Sequence, residues 1–366
     1  MKIECTQENL AHAVAIADKM AGRKESLPVL SCILFDAKKE GVSLISTNLE
    51  TGVEVSISCN LKNEGKAAVP SQILSQTVKA LPKGNLVVES VGENVRIISK
   101  GGSVLLKTIP HDEFPVIPKT TQPKKHRMEK QALIGGLESV LFAVSPSLVR
   151  PELASVYVYQ DGGSMIFVAT DSFRLAEKRV AARLDMEGAE LLIPAKNAAD
   201  LLFALTQAPS DTADVVFEDS QLSVSAGDTF FVSRLVDATF PNYKEIIPSK
   251  FGGEVTLLRG DIDASLKRAR IFTHTEQIVE LETDPKKGLL SVRASHGDVG
   301  EMNDDITAAV EGSPIKIRFN LSYLSDALPF VKTDSIFMQF GGENSPLIIR
   351  GMGDQSFLYL VMPLNR

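Results

Sequence analysis

The sequence predicts an α+β fold built from three repeated domains, each with two helices packed on sheets. Three recurrences carry this expectation. The apolar run from Ser164 to Thr170 feeds a polar turn, Asp171-Ser172-Phe173, from which Arg174 and Leu175 leave side by side. The same strand-then-turn pattern stands at Leu44-Ile45-Ser46-Thr47-Asn48 and at Ser291-Val292-Arg293-Ala294-Ser295-His296-Gly297, at intervals of about 125 residues. Helix entries at Val69-Pro70, Ile193-Pro194 and Phe319-Asn320, and the pairs Phe114-Pro115 and Phe240-Pro241, keep nearly the same spacing.

The first domain is expected over residues 1–120. It opens with a helix over 8–21 that gathers Leu10, Ala13, Val14, Ala17 and Met20 on one face at the 3.6-residue period. Strand-like alternation follows, then a second helix from Ser71 to Leu81 and strands over 86–90 and 95–107. The second domain, 121–248, repeats this order. A helix over 129–144 aligns Leu133, Leu137, Val140, Leu141 and Val144, a second runs from Pro194 to Leu205, and strands fill 214–235. The third domain, 249–366, has a helix over 261–271 with Ile262, Leu266 and Ala269 inward, a second from Asn320 to Val331, and strands over 335–362. Segments 117–127 and 248–254, marked by proline, glycine and charge, read as linkers.

Composition bounds the function. A chain of 366 residues with 44% apolar and 23% charged content reads as globular and multidomain. No apolar run reaches the roughly 20 residues of a membrane helix. The start, Met1-Lys2-Ile3-Glu4-Cys5, lacks the apolar core of a secretory signal, so a cytoplasmic protein is expected. Cys5, Cys32 and Cys59 are odd in number and far apart, as expected of buried thiols in a reducing compartment. Catalytic and cofactor patterns are missing. His12, His111, His126, His274 and His296 are scattered, and Gly351-Met352-Gly353 suits a hairpin turn better than a phosphate loop. Glu301, Asp304 and Asp305 read as a solvated acidic loop, because their spacing is not that of a calcium site. Asp171 beside Arg174 reads as a pair that pins a turn, and Asn320-Leu321-Ser322 as a helix start.

Two leftovers remain. The helices are mildly positive against an acidic remainder in a chain of net charge −7, with Lys19, Arg23, Lys24, Lys79, Lys83, Lys196, Lys267, Arg268, Arg270 and Lys332 contributing. The run Phe357-Leu358-Tyr359-Leu360-Val361 reads as a core strand, and Met362-Pro363-Leu364 beyond it suits an adaptable peptide groove.

Taken together, Ala169-Thr170-Asp171-Ser172-Phe173-Arg174-Leu175-Ala176, Phe240-Pro241-Asn242-Tyr243, Ile246-Ile247-Pro248, Val361-Met362-Pro363-Leu364 and Leu27-Pro28-Val29-Leu30 resemble the bacterial sliding-clamp family, the beta subunits of DNA polymerase III. The resemblance spans the whole chain. It implies three clamp-fold domains with antiparallel sheets, and two copies joined head to tail in a six-domain ring around double-stranded DNA, read without regard to sequence. It implies a non-catalytic processivity factor without cofactor or metal, tethering the replicative polymerase alpha subunit, the clamp loader and repair proteins through short peptides. The residues that match the family's peptide pocket are Arg150, Leu153, Thr170, Ser172, Arg174, Leu175, Pro241, Ile246, Val361, Met362, Pro363 and Leu364. Ser172-Phe173 and Glu245 depart from the family pattern there. DNA-facing positions are Arg23, Lys24, Lys79, Lys83, Lys196, Lys267 and Arg270, and Leu106, Ile271 and Phe272 fall at the subunit joint. Two other readings stay open: a peptide-binding scaffold that does not encircle DNA, and a hydrolase using Asp171, Arg174 and His296.

Overall fold

The computed structural model describes residues 1–23, 27–119, 125–182, 190–218, 220–342 and 344–364. The chain divides into two compact units, residues 1–134 with 193–237 and residues 135–192 with 238–366, so the middle repeat contributes to both.

Two α-helices per repeat are described, in the expected places. They are α1 (Gln7–Met20), α2 (Ser71–Ala80), α3 (Lys130–Leu141), α4 (Ala195–Gln207), α5 (Arg259–Ala269) and α6 (Leu321–Ala327). Thr6 caps α1, its hydroxyl accepting from the Asn9 amide, and the five apolar residues picked out by periodicity are all buried. Asn320 caps α6 in the same way, accepting from the Tyr323 amide at 3.1 Å. This helix is shorter than the expected run to Val331. Pro329 has no amide hydrogen to continue the ladder, and Leu328–Phe330 tightens into a 3-10 turn. The segment Arg270–Phe272 closes α5 likewise.

In the first unit a five-stranded sheet runs in the order Asn60–Asn63, Lys2–Thr6, Asn85–Val91, Asn94–Ser99, Gly102–Lys107. An eight-stranded sheet joins the first and second repeats, because Thr229–Arg234 pairs antiparallel with Thr51–Ser56. Helices α1, α2 and α4 supply the apolar cover. Gln7 reaches from α1 to the Val78 carbonyl at 2.8 Å, and Ser46 donates to the Ala17 carbonyl at 2.6 Å. Cys5 and Cys32 are buried and Cys59 is partly so. Burial pushes the Cys5 thiol up to about 12 and raises the other two, so all three are poor nucleophiles.

In the second unit a nine-stranded sheet joins the second and third repeats through antiparallel pairing of Arg174–Ala181 with Phe357–Val361. A four-stranded sheet runs Gly300–Thr307, Leu289–His296, Ile278–Asp284, Lys316–Asn320. The acidic residues Glu301, Asp304 and Asp305 therefore lie on an edge strand, not in a loop; Asp304 pairs with Arg268 and Asp305 accepts from Ser291 at 2.5 Å. The expected linker 248–254 ends inside a strand, Gly253–Leu258. A Cβ at Gly253 would meet Ile315 at 2.8 Å, so this glycine serves close packing instead of a hinge. The turn after Leu347–Gly351 leads directly to Phe357–Val361, as a hairpin should.

Adjacent glycines in α3 make opposite predictions. A Cβ at Gly136 would sit 2.4 Å from the buried Phe167 ring, whereas Gly135 faces open space. Gly136→Ala should lower the urea midpoint by the equivalent of about 1–3 kcal/mol through overpacking. Gly135→Ala should leave it unchanged or raise it by up to about 1 kcal/mol through helix propensity. The reverse order in urea melts would contradict this packing.

Candidate functional site

The strand Arg174–Ala181 is the spine of the site in the second unit. Its approach is a turn in which Asp171 Oδ1 accepts from the amides of Phe173 at 2.9 Å and Arg174 at 3.0 Å. The Thr170 hydroxyl donates to the Arg174 carbonyl at 2.6 Å. Ser172 adopts φ 79°, a left-handed conformation that costs a non-glycine residue about 1 kcal/mol. The turn is therefore over-determined by side-chain bonds and presents Phe173 outward at 60% exposure.

Arg174 is committed to holding this turn. Its guanidinium donates to Asp171 Oδ2 at 3.0 Å, Asp326 Oδ2 at 2.6 Å and the Phe142 carbonyl at 2.7 Å. It lies over the rings of Tyr323 and Phe142, at 4.4 and 5.6 Å from their centroids. Burial works against its charge, but Asp326, Tyr359 and Asp171 more than offset it and hold the group above its ordinary value. Burial also pushes the Tyr359 phenol up, and its hydroxyl donates to the Tyr323 carbonyl at 2.8 Å. The charge pair pins a turn, as the sequence suggests, and the same cation ties that turn to α6.

Around this spine the structure gathers most of the residues expected, by resemblance, to form a peptide pocket. Arg174 pairs with Val361 and Leu175 with Leu360, and the Met362 amide donates to the Phe173 carbonyl at 2.8 Å. Leu175, Val361 and Pro363 are buried, while Met362 and Leu364 are half-buried. The Leu364 amide donates to the Arg318 carbonyl at 2.8 Å, fixing the end of the described chain. Pro241 and Ile246 flank Tyr243, whose hydroxyl donates to Glu177 on the spine strand at 2.6 Å. Ile246 is 48% exposed. The Leu153 amide donates to the Arg150 carbonyl, Leu153 is buried, and Arg150 pairs with Glu152 at 2.8 Å. Beside Arg150, Leu148 and Val149 are 83% and 88% exposed, a pair of bare aliphatic side chains that sequence reasoning did not single out. No periodicity marks them, because they sit in a loop. His296 stacks on His274 at 3.6 Å, and among the described residues it forms no hydrogen bond or ion pair with Asp171 or Arg174.

Of the helix cations, Arg23, Lys79, Lys196 and Arg270 are exposed and, among the described residues, make no ion pair. Lys83 pairs with Glu8 at 3.3 Å and Lys267 with Asp263 at 2.7 Å. Lys24 lies outside the described residues. Lys19 reaches the buried Asp200 at 3.8 Å; burial raises that carboxyl, and Lys19 and Lys196 pull it back. At the expected joint, Ile271 is 65% exposed and Phe272 half-buried, but Leu106 is a core residue of its own sheet. Strand alternation turns Leu105 outward instead, at 51% exposure. No group of three or more potential metal ligands occurs among the described residues.

Comparison with known proteins is consistent along the whole chain. Models of the DNA polymerase III beta subunit match in three parts: the N-terminal domain over residues 1–118, the central domain over 127–242 and the C-terminal domain over 244–365. The beta sliding clamp of Synechococcus elongatus is 28% identical over 372 residues, covering 100% of this chain and 99% of the relative. The DNA polymerase III beta subunit of Thermotoga maritima is 27% identical with a TM-score of 0.93, over 100% of this chain and 99% of that one. The sliding clamp of Bacillus subtilis, at 23% identity, shares the fold with a TM-score of 0.93 over 100% of this chain and 99% of that one. With family matches to all three repeats, the chain belongs to the DNA polymerase III beta subunit family, the bacterial sliding clamps.

Proposed function

We propose that two copies of this chain close head to tail into a ring around duplex DNA in the cytoplasm, and that partners dock on the turn carried by Arg174–Ala181. Family membership makes the protein a non-catalytic processivity factor. The observation that supports ring closure is a pair of unmatched sheet edges. At each junction between repeats, a late strand of one repeat pairs with an early strand of the preceding one: Thr229–Arg234 with Thr51–Ser56, and Phe357–Val361 with Arg174–Ala181. The counterparts left over are Gly102–Lys107 in the first repeat and Gly300–Thr307 in the third, each at the edge of its sheet. Lys100 and Lys107 flank one edge, and Glu301, Asp304 and Asp305 lie on the other. Pairing of these edges between copies continues the pattern already made inside each chain. Leu106, Ile271 and Phe272 are proposed to flank that joint by resemblance; exposure of Ile271, and of Leu105 beside Leu106, supports this reading.

Grip on DNA is then topological. Arg23, Lys79, Lys196 and Arg270 offer phosphate contacts, while Lys83 and Lys267 share their charge with neighbouring carboxylates. Few unpaired cations give weak, salt-sensitive, sequence-independent contact, which suits sliding. Lys24 belongs to this proposed set by sequence alone. In the partner pocket, Thr170, Ser172, Arg174 and Leu175 form one wall and Val361, Met362, Pro363 and Leu364 another, with Arg150, Leu153, Pro241 and Ile246 at its margins. Polymerase alpha subunit, clamp loader and repair proteins would insert apolar peptide anchors here. Arg174 acts as a positioning residue because its donors are already engaged.

Three outcomes follow. Protein loaded on nicked circular DNA should survive gel filtration and fall off once the circle is linearised; equal retention on both forms would exclude encirclement. Deleting residues 362–366 should abolish binding of a fluorescent peptide with paired Leu and Phe anchors while the solution mass stays that of two chains; undiminished peptide affinity would remove the pocket assignment. Phe272→Asp should yield single chains by light scattering, because the joint would bury a charge; an unchanged mass would reject that site.

A further inference from the structure

The first unit contains a second copy of the turn that carries the proposed partner pocket, and beside it an open groove. Thr47-Asn48-Leu49-Glu50-Thr51 repeats Thr170-Asp171-Ser172-Phe173-Arg174 bond for bond. The Thr47 hydroxyl donates to the Thr51 carbonyl at 2.7 Å, and Asn48 Oδ1 accepts from the amides of Glu50 at 3.0 Å and Thr51 at 2.7 Å. Leu49 stands at φ 73°, where Ser172 stands at 79°. The Arg234 amide donates to the Glu50 carbonyl at 2.9 Å, as Met362 does to Phe173 at 2.8 Å. Two non-glycine residues held left-handed at equivalent places show that the turn geometry is a built feature of the repeat.

The side chains differ, and the difference opens space. Thr51 and Gly52 stand where Arg174 and Leu175 fill the other copy. A Cβ at Gly52 would meet Ile117 at 3.0 Å, so Ile117 from the following segment forms the floor. The result is a cavity of about 530 Å³ whose lining includes Thr47, Leu49, Val116, Ile117, Val232 and Arg234. Leu49 is 46% and Val116 90% exposed at its rim, although both are aliphatic. Two charges also line it, Glu50 and Arg234, and among the described residues neither makes an ion pair.

We propose that this groove is a second docking site, taking an extended segment of a partner protein that bears an aliphatic anchor next to a carboxylate. The anchor packs on Leu49, Val116 and Ile117, and the carboxylate meets Arg234. Glu50 repels a carboxylate entering in the opposite direction and so sets the orientation of the segment. A glutamate in place of Phe173 and an arginine in place of Met362 give the groove a different ligand preference from its counterpart. The site stands on the repeated turn and on its own lining, whatever the counterpart binds.

The probe is a fluorescein-labelled, acetylated pentapeptide alternating leucine and aspartate, titrated by anisotropy against the full chain and three variants. Saturable binding is expected, weakened about tenfold or more by Arg234→Glu and by Val116→Glu, and kept within about twofold when residues 362–366 are deleted. A peptide with lysine in place of aspartate should recover affinity for Arg234→Glu. Both substitutions are at exposed positions, and circular dichroism melts of the variants should match the parent. Absence of saturable binding, indifference to both groove substitutions, loss on deleting 362–366, or competition by a duplex oligonucleotide instead of by unlabelled peptide would each overturn the proposal. The deletion variant, assayed separately with the Leu/Phe peptide, reports on the other pocket, so the two readings fail independently.

Discussion

Strand pairing across repeat boundaries is the constraint on which the rest of this structure depends. A clamp repeat cannot satisfy its own sheet edges; it borrows a strand from its neighbour, Thr229–Arg234 onto Thr51–Ser56 and Phe357–Val361 onto Arg174–Ala181. Backbone amides and carbonyls at an unpaired edge invite another chain. A chain of three such repeats therefore satisfies two junctions internally and leaves the counterpart strands, Gly102–Lys107 and Gly300–Thr307, at the edges of their sheets. An interface of unlike edges either closes or grows without limit. The proposed ring is the closed solution, and its hold on DNA then needs little adhesion.

The same junctions place the two turns proposed to receive ligands. Each turn immediately precedes the strand that receives its neighbour's partner strand, so the proposed docking surfaces fall where two repeats meet. In the second unit the turn is fastened by a buried cation. An isolated charge there would be costly, but Arg174 has two carboxylates, a carbonyl and two aromatic faces. In the first unit a threonine and a glycine replace the arginine and leucine, and the repeat keeps its backbone while leaving a cavity.

Much of this was legible in the sequence, because helices and repeats announce themselves through period. The buried face of α1 was readable residue by residue. The Asp171–Arg174 pair was readable as a pin on the turn, but not the arginine's further engagement, because Phe142 and Asp326 lie 32 and 152 residues away. Which of Leu105 and Leu106 faces the core was not legible, because strand phase reverses with a shift of one residue; the fold buries Leu106 and exposes Leu105. The acidic run around Asp304 read as a loop because its outward charges mask a strand on an exposed edge. The recurrence of the two turns was legible as a strand-then-turn pattern, but their shared hydrogen bonds were not. Asn48-Leu49-Glu50 and Asp171-Ser172-Phe173 differ at every position, and only Thr47 and Thr170 match, while the hydrogen bonds repeat.

Closure through the two leftover edges is the central claim, and sedimentation equilibrium over a wide concentration range tests it most directly. The account predicts a single species with the mass of two 39.6 kDa chains and no larger assemblies as concentration rises. A single-chain species throughout, or growth that continues with concentration, would contradict it.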